Sequence, residues 1–222
     1  NSPNFSGSFL YNHRFKKRGR TISFNLNAGS SSTKSDEDYD NLTTLYLGGL
    51  AKDTLQLLNI LQNNNNKNYG GKISYTEPIT KKRNLEINYS YNYQYIDNNR
   101  STYNIDTLTK QSVFNDSLSN IYSNIYKTNR IGINLRTTEK KYNYTIGFSA
   151  QPATIETKSV TGKTSYISNV VNFFPVIRLA YNFSKSRSLN VNYNGSPSQP
   201  SNSQLQPVVD NSNPQYITIG NP

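Results

Sequence analysis

The chain offers few side chains that could act as a nucleophile, a general base or a metal ligand. Its 222 residues include no cysteine and a single histidine, His13. A catalytic or metal-binding imidazole needs partner groups, and no second histidine or cysteine is present to supply them. His13 lies between Tyr11 and Phe15 on an apolar stripe, which predicts an interfacial position. We therefore expect no enzymatic activity, no cofactor and no metal centre.

An acidic run is the second candidate for chemistry. It comprises Asp36, Glu37, Asp38 and Asp40. Calcium favours clustered carboxylates, but this run lacks the ligand spacing of a calcium-binding loop. The sequence predicts a solvated loop here.

A third set consists of charged residues on the polar face of alternating segments. The set is Arg14, Glu86, Arg130, Arg136 and Arg178. Such side chains could contact a substrate, or they could form a structural network of ion pairs inside the fold. We treat them as candidate substrate contacts, and the substrate itself is not identified.

Eight segments that alternate apolar and polar residues must position these side chains. They cover residues 5–15, 22–29, 71–76, 85–95, 130–136, 142–150, 177–183 and 189–194. Period-two alternation gives each strand one apolar and one polar face. The short basic turns KKRGR, EPITKKRN, TTEKK and SKSRS join the segments pairwise. The pattern predicts an all-β antiparallel fold of about eight strands in four hairpins.

The aromatic residues indicate what the apolar face contacts. Tyr91, Tyr93 and Tyr95 lie at the end of their strand far from the turn, whereas Tyr142 and Tyr144 lie near a turn. Tyrosine favours the boundary between membrane and water, and transmembrane barrels carry two aromatic girdles. The polar face carries mainly Asn, Ser, Thr and Gly, which suits a watery lumen. We therefore expect an up-and-down transmembrane β-barrel segment.

The positive charge is concentrated at the short turns. The formal net charge is +11, and 11 of the 24 basic residues are turn residues: Lys16, Lys17, Arg18, Arg20, Lys81, Lys82, Arg83, Lys140, Lys141, Lys185 and Arg187. Basic grooves with stacking aromatics can bind single-stranded nucleic acid. Because the basic residues lie at turns whereas the tyrosines form regular stripes along the strands, we expect no nucleic-acid partner.

The connections at the opposite end are long and polar, covering residues 30–68 and 96–124. Short periplasmic turns and long extracellular loops are typical of transmembrane barrels. Within the first connection, residues 44–61 could form either the tip of an extended hairpin or a short helix. Both alternatives stay open at this point.

The end of the chain resembles a known family. The run from Gln199 to Pro207, QPSNSQLQP, is the most specific part, followed by DNSNP and GNP, and the segment SYTEPI at 74–79 is also similar. These motifs resemble the outer-membrane β-barrel family allied to TonB-dependent receptors of Gram-negative bacteria. The resemblance implies residence in the outer membrane and a barrel of about 22 strands.

The resemblance also implies partners and a function. Proteins of this type usually hold a plug domain inside the barrel, contact the TonB energy-coupling system and import bulky nutrients. No plug is recognised here, and NSPNFSGSF lacks a basic start and an apolar core. We expect residues 1–222 to be a partial barrel domain, part of a larger barrel, with lipid as its direct partner.

Two other functions remain open at this stage. One is a non-transporting outer-membrane surface protein or adhesin. The other is a soluble secreted β-sheet binding module, which would fold in plain buffer, whereas a membrane barrel would aggregate unless detergent or lipid covered its tyrosine face.

Overall fold

The computed structural model describes residues 2–48, 50–184, 186–195, 210–213 and 216–218. These ranges contain strands, turns and no helix, so none of them holds a helix long and apolar enough to cross a membrane. The motif from Gln199 to Pro207 and the final GNP lie outside the described residues.

Eleven strands form two sheets. They are β1 (Asn4–Arg14), β2 (Thr21–Leu47), β3 (Leu50–Pro78), β4 (Arg83–Ile105), β5 (Ser112–Phe114), β6 (Asn120–Thr138), β7 (Tyr142–Ser159), β8 (Thr164–Ser184), β9 (Arg187–Asn194), β10 (Asp210–Asn213) and β11 (Tyr216–Thr218). The main sheet has the order β1-β2-β3-β4-β6-β7-β8-β9, with β5 added beside β4. Among the described residues, β10 and β11 form a separate two-stranded sheet.

The main sheet is an up-and-down antiparallel wall. Each long strand pairs with the next along the chain, from β1 with β2 to β8 with β9. The eight predicted strands and four hairpins are thus confirmed. Within the described residues β1 and β9 do not pair with each other, so the sheet is an open wall.

The first long connection is an extended hairpin. Pairing between β2 and β3 continues without a register shift from Thr21–Thr76 to Leu47–Leu50, and Gly48 at the tip has a φ of +60°. Backbone pairing satisfies every peptide group whatever the side chains are, so the polar run at 63–66 does not interrupt the ladder. The extended-hairpin alternative is correct and the short helix is wrong.

The acidic run lies on β2, so the predicted loop is wrong. Asp36 pairs with Leu61 and Asp38 with Asn59, and the Asn59 amide donates to both aspartates at 2.7 and 3.0 Å. Aspartate is depleted in strands, but the long ladder overrides that preference.

The second long connection is also largely ordered by pairing. β4 runs to Ile105, and β5 folds back on it with Tyr103 opposite Phe114. At the turn the Asp106 carboxylate accepts hydrogen bonds from the amides of Leu108 and Thr109, at 2.9 and 2.7 Å. Those backbone hydrogen bonds, that of Thr109 first, lower the pKa of Asp106.

The register assigns every strand residue to one of two faces. We call outward the face that carries Tyr75, Tyr89, Ile131 and Phe148, and inward the opposite face. Outward apolar side chains are left uncovered, with Ile131 58% and Phe173 61% exposed. A large apolar face without a protein partner is expected where lipid covers it.

The apolar part of the outward face forms a band of limited height. On β4 it runs from Leu85 to Tyr95, roughly 25 Å across the membrane at a tilt of about 40°. The two tyrosine levels predicted from the sequence lie on this band. The rings of Tyr69 and Tyr93 are 6.2 Å apart at the edge far from the turns, and those of Tyr142 and Tyr181 are 6.5 Å apart near the turns. Beyond Tyr95 the outward row is Asn65, Asp97 and Ser123.

Candidate functional site

The inward face of the wall carries a polar basin of about 530 Å³. Its lining comes from strands β3, β4, β6, β7, β8 and β9, and includes Lys72, Glu86, Arg130, Arg136, Thr145 and Arg178. Four of the five charged residues proposed from the sequence therefore meet at one place.

Arg130 is held in a defined position. Its Nε and Nη2 atoms donate to the Ser149 hydroxyl at 3.0 and 2.8 Å. Its guanidinium carbon lies 4.6 Å from the centre of the Phe174 ring, within range of a cation–π contact. Phe174 is itself buried, so it gives the guanidinium a rigid support.

Glu86 is the carboxylate of the basin. Its Oε1 atom accepts hydrogen bonds from the amides of Asn88 and Asn134, at 3.4 and 3.3 Å. Those amides lie over Gly132 and Gly147 on neighbouring strands, where a Cβ atom would collide with the Asn88 and Asn134 oxygens. Glycine at these inward positions therefore lets asparagine side chains lie flat against the sheet.

None of the four basin cations has a carboxylate partner among the described residues: Lys72, Arg130, Arg136 and Arg178. Arg136 and Arg178 flank Thr145 in one cross-strand row, because Thr145 pairs with both. At a spacing of about 4.8 Å between strands, the two backbones lie roughly 10 Å apart. The row can offer guanidinium and hydroxyl groups to an anionic or hydroxyl-rich surface.

Arg14 does not reach the basin. It lies at the end of edge strand β1, opposite Thr21, and is not among the lining residues. Lys72 lines the basin but was not among the candidates. Its inward parity, between Gly71 and Ile73, could have identified it.

His13 lies on the outward face near the first turn, as predicted. It stacks with Tyr11 at 6.5 Å and meets the edge of Phe15 at 4.7 Å. In the described ranges no group of three or more histidine or acidic side chains is arranged to hold a metal ion.

The turn end of the wall carries a separate ion-pair cluster around Glu77. Arg20 contacts both carboxylate oxygens, at 2.7 and 2.9 Å, and Lys17 and the Tyr75 hydroxyl add further hydrogen bonds. These hydrogen bonds, that of Arg20 first, hold the pKa of Glu77 well below its usual range. The cluster joins the first turn to the second.

Comparison with solved structures supports the fold. The chain is similar to the crystal structure of the ferric citrate transporter FecA in the unliganded form, with a TM-score of 0.59 and 11% sequence identity. The match covers 85% of this chain and 26% of that one, so the chain spans about a quarter of that protein. At this identity the likeness shows the fold alone.

Sequence comparison identifies the family. No curated protein sequence matches the chain significantly. A family model described as the outer membrane protein beta-barrel family matches residues 13–222, which includes seven of the eight long strands in full. The all-β wall, its outward apolar band and this match agree, and the chain belongs to the outer membrane protein beta-barrel family.

Proposed function

We propose that this chain is a wall segment of an outer-membrane receptor that takes up a bulky nutrient, with energy delivered through TonB. The observation that carries the proposal is the inward basin, where Lys72, Arg136 and Arg178 have no carboxylate partner in the described part of the chain. A wall that served only as scaffold would neutralise such charges in ion pairs. The segment would bind and guide solute and would not catalyse a reaction.

The wall supplies three parts of such a mechanism. Lipid covers the outward band and anchors the barrel. The extracellular strand extensions, of which the β2–β3 hairpin is the longest, form the rim that a ligand first meets. The basin then presents hydrogen-bond donors to whatever occupies the lumen, either the transported solute or a plug domain.

The proposal is tested in the producing bacterium with the whole gene. Deletion should abolish growth on one compound from a panel of peptides, glycans and ferric chelates, each supplied as the sole source of its element. Deletion of the TonB system should abolish the same growth. Growth that is unchanged by either deletion on every compound would contradict the transport proposal.

Substitutions then test whether the basin takes part in uptake. Arg136→Gln with Arg178→Gln should raise the concentration of nutrient needed for half-maximal uptake several-fold. Arg14→Gln is the matched control for each of the two single substitutions, since Arg14 is a cation near the same end of the wall but outside the basin. If Arg14→Gln raised the concentration for half-maximal uptake as much as the basin substitutions do, the basin would have no specific role in uptake.

An adhesin or another non-transporting surface protein is the second candidate. The observation that favours it is the β2–β3 hairpin, which continues roughly 60 Å along the strand beyond Ala28. Its end exposes Leu42, Tyr46 and Leu55, at 63%, 77% and 52%. Shortening this hairpin should reduce attachment and leave uptake intact if this candidate is correct.

The soluble binding module is disfavoured. Such a module would leave the outward band in water, and its apolar side chains are uncovered across all eight long strands. The chain's membership of an outer-membrane family agrees with lipid as the covering medium.

A further inference from the structure

The turn end of the wall carries a concentration of positive charge that the proposed transport function does not use. We call it the basic rim: Lys16, Lys17, Arg18, Arg20, Lys81, Lys82, Arg83, Lys140, Lys141 and Arg187. Lys185, which also belongs to a turn in the sequence, lies outside the described residues. Two carboxylates accompany the ten cations at these turns, Glu77 and Glu139.

Most of the rim charge is not neutralised by the protein. Lys17 and Arg20 share Glu77, and Lys82 pairs with Glu139 at 2.6 Å. The other seven cations have no carboxylate partner in the described part of the chain, and all seven are exposed: Lys16, Arg18, Lys81, Arg83, Lys140, Lys141 and Arg187.

The turns hold these cations in a fixed order along the rim. The amide of Thr138 donates to the Lys82 carbonyl at 2.8 Å, and the amide of Asn182 donates to the Lys141 carbonyl at 2.7 Å. Together with the Glu77 cluster, these hydrogen bonds link all four short turns. The rim is therefore a continuous row of charge.

The row adjoins the lipid-facing surface. Arg83 has outward parity, two residues from Leu85, and Arg187 has the same relation to Leu189. Directly above lie outward aromatic pairs, with Phe15 and Tyr75 6.5 Å apart and Tyr181 and Phe183 4.7 Å apart. Aromatic rings occupy the headgroup level of a bilayer, so the neighbouring cations lie where lipid phosphates are found.

We propose that the basic rim binds the headgroups of anionic phospholipids in the periplasmic leaflet of the outer membrane. Short turns of such barrels face the periplasm, so the rim meets that leaflet. Lysine and arginine close to a lipid surface are attracted to anionic headgroups and interact far less with zwitterionic ones. The inference rests on membrane insertion and not on transport, so a barrel that imports nothing would still show it.

The test uses the full-length protein in neutral detergent micelles, with bound lipid measured by native mass spectrometry. At low salt, phosphatidylglycerol should bind at least about tenfold more tightly than phosphatidylcholine. Raising the salt to about 0.5 M should remove most of the difference, because exposed charges are screened. Equal affinity for the two lipids at low salt would overturn the proposal without any variant.

Matched variants locate the site. The rim variant changes Lys16, Arg18, Lys81 and Arg83 to glutamine, none of which forms an ion pair. The control changes Lys34, Lys52, Lys158 and Lys163, at the opposite end of the wall, and so removes the same charge.

Phosphatidylglycerol affinity should fall about tenfold in the rim variant and stay within about twofold in the control. An equal fall in both variants, or none in the rim variant, would show that the rim is not the site. If the rim variant does not insert, Lys16→Arg with Lys81→Arg keeps the charge and must keep the affinity.

Discussion

The membrane-facing band and the first rows of the wall above it consist of the same strands, yet their outward side chains differ in polarity. In the band, one row carries Ile73, Tyr89 and Ile131 outward, and the adjacent inward positions are polar. Just above Tyr95 the outward row is polar, and at this upper edge of the band the inward face buries a small cluster of Tyr126, Ile155 and Ile96.

This difference indicates that the surrounding medium, lipid or water, determines which face of a strand is apolar. Lipid surrounds the band and water fills its lumen, so the apolar side chains point outward. At the upper edge of the band water lies on the outer side, and Tyr126, Ile155 and Ile96 are removed from it by facing inward. The change occurs within single strands, and it requires no change in backbone pairing.

The largest expected effect comes from placing a charge in the band. Ile131→Arg should destabilise the full-length protein by about 2–4 kcal/mol in lipid vesicles, because an arginine near the bilayer midplane lacks solvation. Ser123→Arg lies on the same strand and the same face but above the band, and should cost under about 1 kcal/mol. Reversible unfolding in denaturant measures both free-energy costs. Equal costs would contradict the view that lipid covers the band but not the wall above it.

A cavity on the inward face at the upper edge of the band should lower the free energy of unfolding by a smaller amount, and this loss should not depend on the lipid. Ile155→Ala removes side-chain volume beside Tyr126 and should lower the free energy of unfolding by about 2–3 kcal/mol. The neighbouring outward change Thr154→Ala should cost less than about 0.5 kcal/mol. Measurements in vesicles of two bilayer thicknesses should agree for Ile155→Ala, and a strong thickness dependence would place this residue inside the membrane.

Packing on the inward face of the band should respond to glycine substitution. Gly147→Ala places a Cβ atom against the Asn134 amide and 3.0 Å from the Ile133 carbonyl, with an expected cost of about 1–2 kcal/mol. Gly7 is the control, since no atom lies within 4 Å of its Cβ position. Adding Asn134→Ala should recover part of the loss, and full additivity of the two changes would contradict the collision.

The smallest expected effect concerns the ion-pair cluster below the band. Because the folded pKa of Glu77 lies below its ordinary value, its stabilising effect is complete above about pH 5 and declines as the pH falls below about 4.3. The thermal unfolding midpoint of Glu77→Gln should therefore lie slightly below that of the unsubstituted protein at pH 7. The gap should narrow between pH 5 and pH 3, and a constant gap would exclude the carboxylate charge as its cause.

Much of the wall could be predicted because period-two alternation is a local property. The stripe from Leu85 to Tyr95 marks a strand, its lipid face and its length without reference to any neighbour. Parity also places Arg130, Arg136 and Arg178 on one face. Parity does not show that Arg178 lies beside Arg136, since that depends on the register of β7 against both β6 and β8.

The long connections could not be predicted as strands for a related reason. Asn, Asp and Ser favour turns in isolation, and the run of four asparagines at 63–66 carries no alternation. Pairing with β2 and β4 on both sides gives these residues a partner for every backbone group, and this outweighs their local preference.

Residue type and spacing along single segments are enough to predict the eight alternating segments, their outward and inward faces, the two aromatic levels and the basic turns. Tertiary pairing brings the inward cations into one basin, leaves Arg14 outside it and extends the strands through the long polar connections. Those features depend on strand register, which is set by hydrogen bonds between residues far apart in the chain.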